Sequence, residues 1–167
     1  MPKTESELTA LLDRLDINYT LFRHPPLYTV EESQLLRPDM PGGHGKCLFV
    51  KDKKGRLGLF VVEESKRVDL KSCADRFGLG RLSFGSADKM EQLLGVKPGS
   101  VTPFALINCP ATDKCAPPLI VALDQTLLDL DPVHFHPLHN EATLAIHPLD
   151  LLRFLSHLGH TPLIHNF

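Results

Sequence analysis

The spacing of leucines and the residues that precede them predict a helix at each end of the chain. Thr4 and Glu7 form a capping box. The residues that follow at the spacing of one helical face are Leu8, Leu11, Leu12 and Leu15. Pro148 at a first helical position predicts a last helix that runs to Leu158 and ends at Gly159.

Three shorter helices are predicted between these two. Thr29 opens a second capping-box pattern, and this helix is expected to end near Pro38. The two helices after it have a capping residue at the start and a glycine suited to the left-handed conformation at the end. These pairs are Asp69 with Gly78 and Ser86 with Gly95.

Runs of β-branched and apolar residues predict six strands. They are Tyr19 to His24, Cys47 to Lys51, Leu57 to Glu63, Leu119 to Leu123, Val133 to His136 and Ala142 to Ile146. The second and third runs are joined by residues 52–56, whose glycine and polar side chains indicate a hairpin. A turn rich in glycine and proline at residues 98–103 precedes another apolar run, 104–107.

Hairpins mixed with helices predict an α/β fold of the α+β type. We expect a mixed, mostly antiparallel, twisted sheet surrounded by helices. The length of 167 residues fits one domain, predicted to cover residues 1–167. A regular alternation of strand and helix is missing, which argues against a doubly wound nucleotide-binding fold.

Composition indicates an ordinary globular protein, with 43% hydrophobic residues, 23% charged residues and a formal net charge of −2. The four cysteines lack C-x-x-C spacing, and the N-terminus has no signal-peptide pattern. We therefore expect reduced thiols, including Cys109 and Cys115 without a catalytic role, in a cytoplasmic protein. No apolar run approaches the length that spans a bilayer, so no membrane partner is expected.

A nucleic-acid partner would require a local basic patch, because affinity for a phosphate backbone comes from clustered lysine and arginine. Residues 46–71 contain eight basic and four acidic residues. The basic residues at or beside the predicted hairpin tip are Lys51, Lys53, Lys54 and Arg56. The alternative is that these charges form an ordinary solvated face.

Three glycines precede a lysine and an apolar strand in the stretch from Met40 to Val50. Glycine lets a backbone approach a ligand closely. The stretch therefore predicts an anion or nucleotide site in a loop, with Lys46 at the junction with the strand. Its spacing and the absence of Ser or Thr after the lysine exclude a P-loop. An ordinary turn with an exposed lysine is the alternative.

Two other groups of residues suggest chemistry. His134, His136 and His139 could form an open zinc site, although His136 is equally suited to a core or a pocket wall. Cys47 follows Lys46, and a cation lowers the pKa of a thiol. However, neighbouring side chains of a strand point to opposite faces, which separates Lys46 from Cys47. We therefore expect no cysteine nucleophile. We also expect no metal site, because a single H-x-H pattern is a weak signal.

Nine short segments, in this order along nearly the whole chain, carry a family resemblance. They are His24-Pro25-Pro26, residues 29–32, 42–46, 48–49, 68–71, 82–84, 94–96, 98–104 and 135–138. Together they resemble the YbaK aminoacyl-tRNA editing family, which is related to the editing insertion domain of bacterial prolyl-tRNA synthetase. Within it, the chain is most similar to free-standing deacylases that remove alanine mischarged onto proline tRNA.

The resemblance implies hydrolysis of the ester between a wrong amino acid and the terminal adenosine of a tRNA, without metal, cofactor or protein nucleophile. The ribose 2′-hydroxyl of the substrate would orient the attacking water. Lys46 matches the family's essential lysine, which would hold the negatively charged tRNA end. Gly99 begins the family's G-x-x-x-P turn, whose backbone would bind the carbonyl and stabilise the oxyanion. His136 matches the histidine of the amino-acid pocket.

The resemblance also assigns further residues to substrate binding, namely His44, Gly45, Cys47, Ser100, Val101, Thr102, Pro103 and Phe104. The implied partner is the acceptor end of mischarged proline tRNA, with the basic hairpin as a further tRNA contact. Prolyl-tRNA synthetase and an elongation factor are candidate partner proteins, and no DNA partner is expected.

Two departures from the family pattern leave the substrate open. Relatives that act on alanine read His-Thr-Lys-Asn, where this chain has Cys47 as the fourth residue, and His139 stands where they have Glu or Lys. A pocket that separates amino acids by one methylene gains only about 1–3 kcal/mol, so alanine, serine and 2-aminobutyrate all remain candidates. A tRNA- or synthetase-binding module without turnover and a zinc-dependent hydrolase are the alternative functions.

Overall fold

The computed structural model describes residues 1–111 and 119–167, so Cys115 lies outside the described residues. Within them the chain forms eight strands. These are β1 (Tyr19–Arg23), β2 (Gly43–Lys51), β3 (Leu57–Glu63), β4 (Ser83–Phe84), β5 (Leu119–Asp124), β6 (Val133–Phe135), β7 (Ala142–Ile146) and β8 (Leu163–His165). They form one sheet in the order β1-β7-β6-β2-β3-β5-β8, and β4 also pairs with β2.

Six α-helices lie in the same described ranges. They are α1 (Glu5–Arg14), α2 (Val30–Gln34), α3 (Leu70–Phe77), α4 (Ala87–Leu94), α5 (Gln125–Leu128) and α6 (Pro148–His157). The capping box at Thr4 is confirmed, and Gly78 and Gly95 end α3 and α4 in the left-handed conformation as predicted. None of these helices is long and apolar enough to cross a membrane.

The sheet is mixed. Four pairings, β1 with β7, β6 with β7, β2 with β3 and β2 with β4, are antiparallel. Three pairings, β2 with β6, β3 with β5 and β5 with β8, are parallel. The predicted α+β fold with a mixed, mostly antiparallel sheet is therefore confirmed.

Both faces of the central strands are buried, because successive side chains of a strand point to opposite faces. Leu59 and Val61 of β3 belong to the main core, which includes side chains of α1, α4 and α6. Phe60 and Val62 belong to a smaller core that includes Cys73 of α3. Helices thus cover the sheet on both sides.

The prediction of a glycine loop before Cys47 is wrong. Gly43 and Gly45 already belong to β2, which begins at Gly43. A Cβ atom on Gly45 would lie 2.2 Å from Cε1 of Phe135, and one on Gly43 would lie 2.9 Å from Cβ of Leu130. These glycines permit close packing between neighbouring strands and loops. They do not form a phosphate-binding loop.

Several short elements differ from the prediction. β4, β8 and α5 were not predicted, and the turn expected after β5 is the start of α5, which Asp124 caps. Helix α2 ends at Gln34 rather than near Pro38, and a separate 3-10 turn covers Arg37–Asp39. The apolar run after the glycine-proline turn at residues 98–103 forms a 3-10 helix, Pro103–Asn108.

The tip of the β2–β3 hairpin is held by the buried carboxylate of Asp52. Its Oδ1 accepts hydrogen bonds from the backbone N–H groups of Lys54 and Arg56, at 2.9 and 2.8 Å. Its Oδ2 accepts from Gly80 N and Arg56 Nε, at 3.1 and 2.7 Å. Burial disfavours the charged form, but these hydrogen bonds together outweigh it and lower the pKa of Asp52 to about 2.

The first prediction concerns Gly45→Ala. The added methyl group would displace the Phe135 ring, so we expect the free energy of unfolding to fall by about 1–3 kcal/mol, measured by urea denaturation. Gly80→Ala is the matched control, because its Cβ would meet no atom closer than 3.6 Å. Equal losses in the two variants would contradict the steric explanation.

The second prediction concerns Asp52→Asn and acid. The pKa of Asp52 is lower in the folded chain than the ordinary value near 3.9, so its stabilisation is present above about pH 4 and is lost as the pH falls toward about 2. The variant should be less stable than the native chain at neutral pH, and the difference should shrink across this window. Urea unfolding at a series of pH values measures it, and a constant difference would refute the assignment.

Candidate functional site

A cleft of about 100 Å³ opens where the first residues of β2 meet β6. It is lined by Leu27, Ser33, His44, Gly45, Glu64, Val101, His134, Phe135, His136 and Thr143. Four of the predicted site residues, His44, Gly45, Val101 and His136, are therefore brought together in one place.

Two stacked histidines form one wall of the cleft. The parallel pairing of β2 with β6 puts His44 beside His134, and their ring centroids lie 4.3 Å apart with the planes only 6° from parallel. His44 Nε2 lies 2.8 Å from the carbonyl oxygen of Met40, and His134 Nδ1 lies 2.9 Å from that of Gly43. Because a carbonyl oxygen only accepts hydrogen bonds, each of these ring nitrogens carries a proton.

His136 lies on the same face of the strand region as His134, two residues further on. Its Nδ1 is 2.9 Å from the carbonyl oxygen of Ala142, and this contact sets the ring orientation. The His24 ring lies edge-on at 6.2 Å, and its Nε2 is 2.8 Å from the hydroxyl of Thr143. His136 thus lines the cleft beside the neighbouring strand β7. Its role in amino-acid recognition stays a prediction.

Lys46 follows the cleft-lining residues of β2 and shares a face with His44, about 7 Å along the strand. Its ammonium group donates a hydrogen bond to the backbone carbonyl of Lys66, in the turn after β3. The Lys66 side chain is in turn paired with the buried carboxylate of Asp124, with 2.9 Å between Nζ and Oδ1. Lys46 is therefore held beside the cleft by a turn that is itself anchored.

Cys47 points to the other face and packs against the main core. Burial raises the pKa of its thiol well above the ordinary value, so the thiolate needed of a nucleophile is disfavoured. Cys47 does not line the cleft, and its predicted role toward the substrate stays a prediction. Cys109 is buried in the main core.

The turn after α4 reaches the cleft. Gly99 is exposed and has a φ of +90°, a conformation that favours glycine. Ser100 is buried, and its N–H donates to the carbonyl oxygen of Lys97 at 3.0 Å. Val101 then lines the cleft. The predicted turn therefore contacts the site through Val101.

The rest of this turn belongs to the scaffold of the site. Thr102 is buried and caps the 3-10 helix, its hydroxyl accepting from the N–H of Phe104 at 3.3 Å. Pro103 occupies the first helical positions and is buried. The Phe104 ring packs edge-on against Phe135, with 6.3 Å between centroids. Thr102, Pro103 and Phe104 therefore support the cleft wall from the core.

The basic hairpin lies at the far end of β2, about 20 Å from Gly45 by strand length. Lys51, Lys53 and Lys54 are exposed there, whereas Arg56 is half-buried in its ion pair with Asp52. A groove beside the tip is lined in part by Lys51, Lys53 and Arg81. Three of the four predicted tRNA-contacting side chains are thus accessible.

The three histidines considered for zinc have separate partners. His134 stacks on His44, and His136 contacts the Ala142 carbonyl. His139 pairs through Nε2 with the carboxylate of Glu5 in α1. Over residues 1–111 and 119–167, no three or more His, Cys, Asp and Glu side chains are grouped so that they could hold a metal ion.

Sequence reasoning missed several residues of the site. Leu27, Ser33, Glu64 and Thr143 line the cleft, and Lys66 and Asp124 hold the turn that Lys46 contacts. They come from several parts of the chain, and none belongs to a local motif that indicates a ligand site. The capping pattern at Thr29 locates α2 but gives no sign that Ser33 faces the site.

Comparison with known proteins identifies the family. The sequence model of the aminoacyl-tRNA editing domain matches residues 24–154. The chain is 36% identical over 153 residues to the prolyl-tRNA editing protein ProX of Acetoanaerobium sticklandii, covering 91% of this chain and 90% of that protein. It is 37% identical over 166 residues to prolyl-tRNA synthetase associated domain-containing protein 1 of Xenopus laevis, covering 96% and 95%.

The fold has a solved counterpart. A crystal structure of a candidate trans-editing enzyme for prolyl tRNA synthetase superposes with a TM-score of 0.71 at 20% identity, covering 99% of this chain and 97% of that one. The family match extends from His24 in the cleft region to Phe154 in α6 and includes the cleft-lining residues. This chain belongs to the aminoacyl-tRNA editing domain family.

Proposed function

We propose that this chain is a trans-editing deacylase that hydrolyses the ester between a mischarged small amino acid, in the first place alanine, and proline tRNA. The observation that carries the proposal is the convergence of Gly45, Val101 and His136 on one small cleft beside Lys46. The editing-domain family and the name of the ProX relative support it. Residues 1–167 would act as a single editing domain.

In the proposed reaction, the oxygen of a water molecule attacks the carbonyl carbon of the ester. The bond to the ribose oxygen then breaks, the ribose oxygen takes one proton of the water, the other proton passes to solvent, and the amino acid leaves as a carboxylate. The substrate's own 2′-hydroxyl would orient the water, so that neither a metal ion nor a protein nucleophile is needed. The enzyme contributes positioning and electrostatic stabilisation.

The turn that starts at Gly99 is the proposed oxyanion site. Backbone N–H groups aimed at a developing negative charge stabilise a tetrahedral intermediate. The N–H of Ser100 is already engaged by Lys97, and proline has no N–H. The other N–H groups of the turn, those of Gly99, Val101 and Thr102, are therefore the proposed donors, and the positive φ of Gly99 permits the tight turn that holds them.

The walls of the cleft support a small substrate side chain. Leu27, Val101 and Phe135 are bulky apolar residues around a volume of about 100 Å³, which favours a methyl group over a longer side chain. The methylene that separates alanine from 2-aminobutyrate is worth only about 1–3 kcal/mol in such a pocket. His136 is proposed to limit which side chain enters.

The proposed tRNA contacts have two parts. Lys46 would bind the phosphate at the acceptor end as a point charge, and the exposed lysines of the hairpin tip would contact the phosphate backbone further away. The proposed location is the cytoplasm, where charged tRNA is used. Prolyl-tRNA synthetase and an elongation factor are the candidate proteins that would deliver it.

The third prediction tests the reaction. Release of labelled amino acid from proline tRNA charged with alanine, serine or 2-aminobutyrate should be fastest for alanine. Lys46→Ala should slow it about 10- to 100-fold, the value of one charge-assisted hydrogen bond. Lys89→Ala, which removes an exposed lysine of α4, is the matched control and should keep native activity.

Three outcomes would change the interpretation. Absence of release from all three tRNAs, with tRNA still bound, would favour a binding module without turnover. Native activity in Lys46→Ala would remove Lys46 from the site. Loss of activity after exhaustive chelation, restored by zinc, would contradict the proposed metal-independent hydrolysis.

The fourth prediction tests the hairpin. Lys53→Ala/Lys54→Ala should weaken tRNA binding and flatten its salt dependence, lowering the slope of log K against log salt concentration by about 1–2. Arg56 is left intact because it holds Asp52. Lys3→Ala/Lys89→Ala removes the same charge elsewhere and should leave the slope unchanged. An unchanged slope in the hairpin variant would show that its lysines do not contact tRNA.

A further inference from the structure

The turn after β3 is tied to the sheet by a buried ion pair. Asp124 is fully buried at the end of β5. Its Oδ1 accepts from Lys66 Nζ at 2.9 Å, and its Oδ2 accepts from the backbone N–H of Glu63 at 2.9 Å. The same carboxylate caps α5 by accepting from Thr126 N at 3.1 Å. One side chain thus joins β3, β5, α5 and the turn.

Lys66 is held by more than this carboxylate. Its ammonium group also donates to the hydroxyl of Thr126 at 2.8 Å and to the side-chain oxygen of Asn166 at 3.1 Å. An ammonium group has three protons to donate, and these three acceptors account for all of them. The Lys66 side chain is therefore committed to the scaffold, although part of it remains exposed.

The backbone of Lys66 faces the other way. Its carbonyl oxygen accepts the hydrogen bond from the Lys46 ammonium group. A lysine side chain has four rotatable bonds and loses up to about 2 kcal/mol of rotamer entropy when it is fixed. An acceptor anchored in this way keeps the Lys46 charge at one position before the substrate arrives, which reduces the ordering cost of binding.

We propose that Asp124 and Lys66 are positioning residues for Lys46, acting through the Lys66 carbonyl oxygen. This inference rests on the proposed function for the part that Lys46 plays toward tRNA. The positioning itself is a property of the free protein and is tested separately below. Neither residue touches the substrate in this proposal.

The fifth prediction concerns the free protein. In protein labelled with ¹⁵N-lysine, the Lys46 ammonium resonance, assigned by its loss in Lys46→Ala, should be ordered and protected from exchange. Asp124→Asn introduces an amide donor where the carboxylate accepts from three donors, the N–H groups of Glu63 and Thr126 and the Lys66 ammonium group, so it should broaden or remove this resonance. Lys66→Met keeps an apolar stem without the ammonium group, so it should also broaden or remove the Lys46 resonance. Lys66→Arg keeps the charge and should retain part of this resonance.

Met90→Ala is the control for general destabilisation, because Met90 is buried in α4. It should lower stability and leave the Lys46 resonance unchanged. An unchanged Lys46 resonance in both Asp124→Asn and Lys66→Met, with the variants folded, would overturn the proposal. Loss of the resonance in Met90→Ala as well would overturn it too, by showing that any loss of stability has this effect.

The second readout is affinity for a proline-tRNA acceptor-stem minihelix carrying alanine through a non-hydrolysable amide. Asp124→Asn, Lys66→Met and Lys46→Ala should each weaken binding about 10-fold. In double variants that also carry Lys46→Ala, Asp124→Asn or Lys66→Met should weaken binding further by less than about 2-fold. Residues that act through one contact do not have additive effects. Fully multiplied losses would overturn the proposal. Absence of binding by the native protein would instead count against the proposed function and leave the resonance test to decide the positioning.

Discussion

The parallel pairing of β2 with β6 is the contact on which the site depends. It is short, joining Gly43 to Val133 and His44 to His134, but it brings together segments about ninety residues apart in the chain. Further along, β2 pairs with β3 instead, so its first residues form the cleft while its later residues form the core. Glycine at positions 43 and 45 permits this close approach, because a side chain there would meet Leu130 or Phe135. The glycines that suggested a ligand loop therefore serve the site indirectly, by allowing two strands to meet.

Both ends of β2 are stabilised by a buried carboxylate that bonds backbone N–H groups and one cation. Asp52 holds the hairpin tip with Arg56, and Asp124 holds the turn beside Lys46 with Lys66. A buried ion pair gives little net stability, but removing one partner leaves an uncompensated charge. Such pairs therefore fix geometry more than they add stability. In this chain they hold two regions that carry lysines, the exposed hairpin tip and the turn whose carbonyl contacts Lys46.

Features that depend on local sequence could be predicted, and those that depend on distant contacts could not. The capping box at Thr4 and the left-handed Gly78 and Gly95 follow from neighbouring residues, and all were predicted. β4 and β8 have only two or three residues, and their pairing partners decide their structure. Likewise, Glu64 and Thr143 reach the cleft through the sheet topology. The resemblance to the editing family supplied His44, Val101 and His136, because an ordered set of motifs carries the long-range information that periodicity lacks.

The position after Lys46 shows how strand alternation limits what a substitution can do. The side chains of Lys46 and Cys47 leave β2 on opposite faces, and the thiol packs against the main core, where burial raises its pKa. An unionised thiol in an apolar setting is a small hydrophobic group with a weak S–H donor. It contributes packing beneath the site, and it neither reacts with an ester nor replaces an amide as a hydrogen-bonding partner. The predicted role of this residue in substrate choice would therefore act through the position of the strand, whose residue Gly45 lines the cleft.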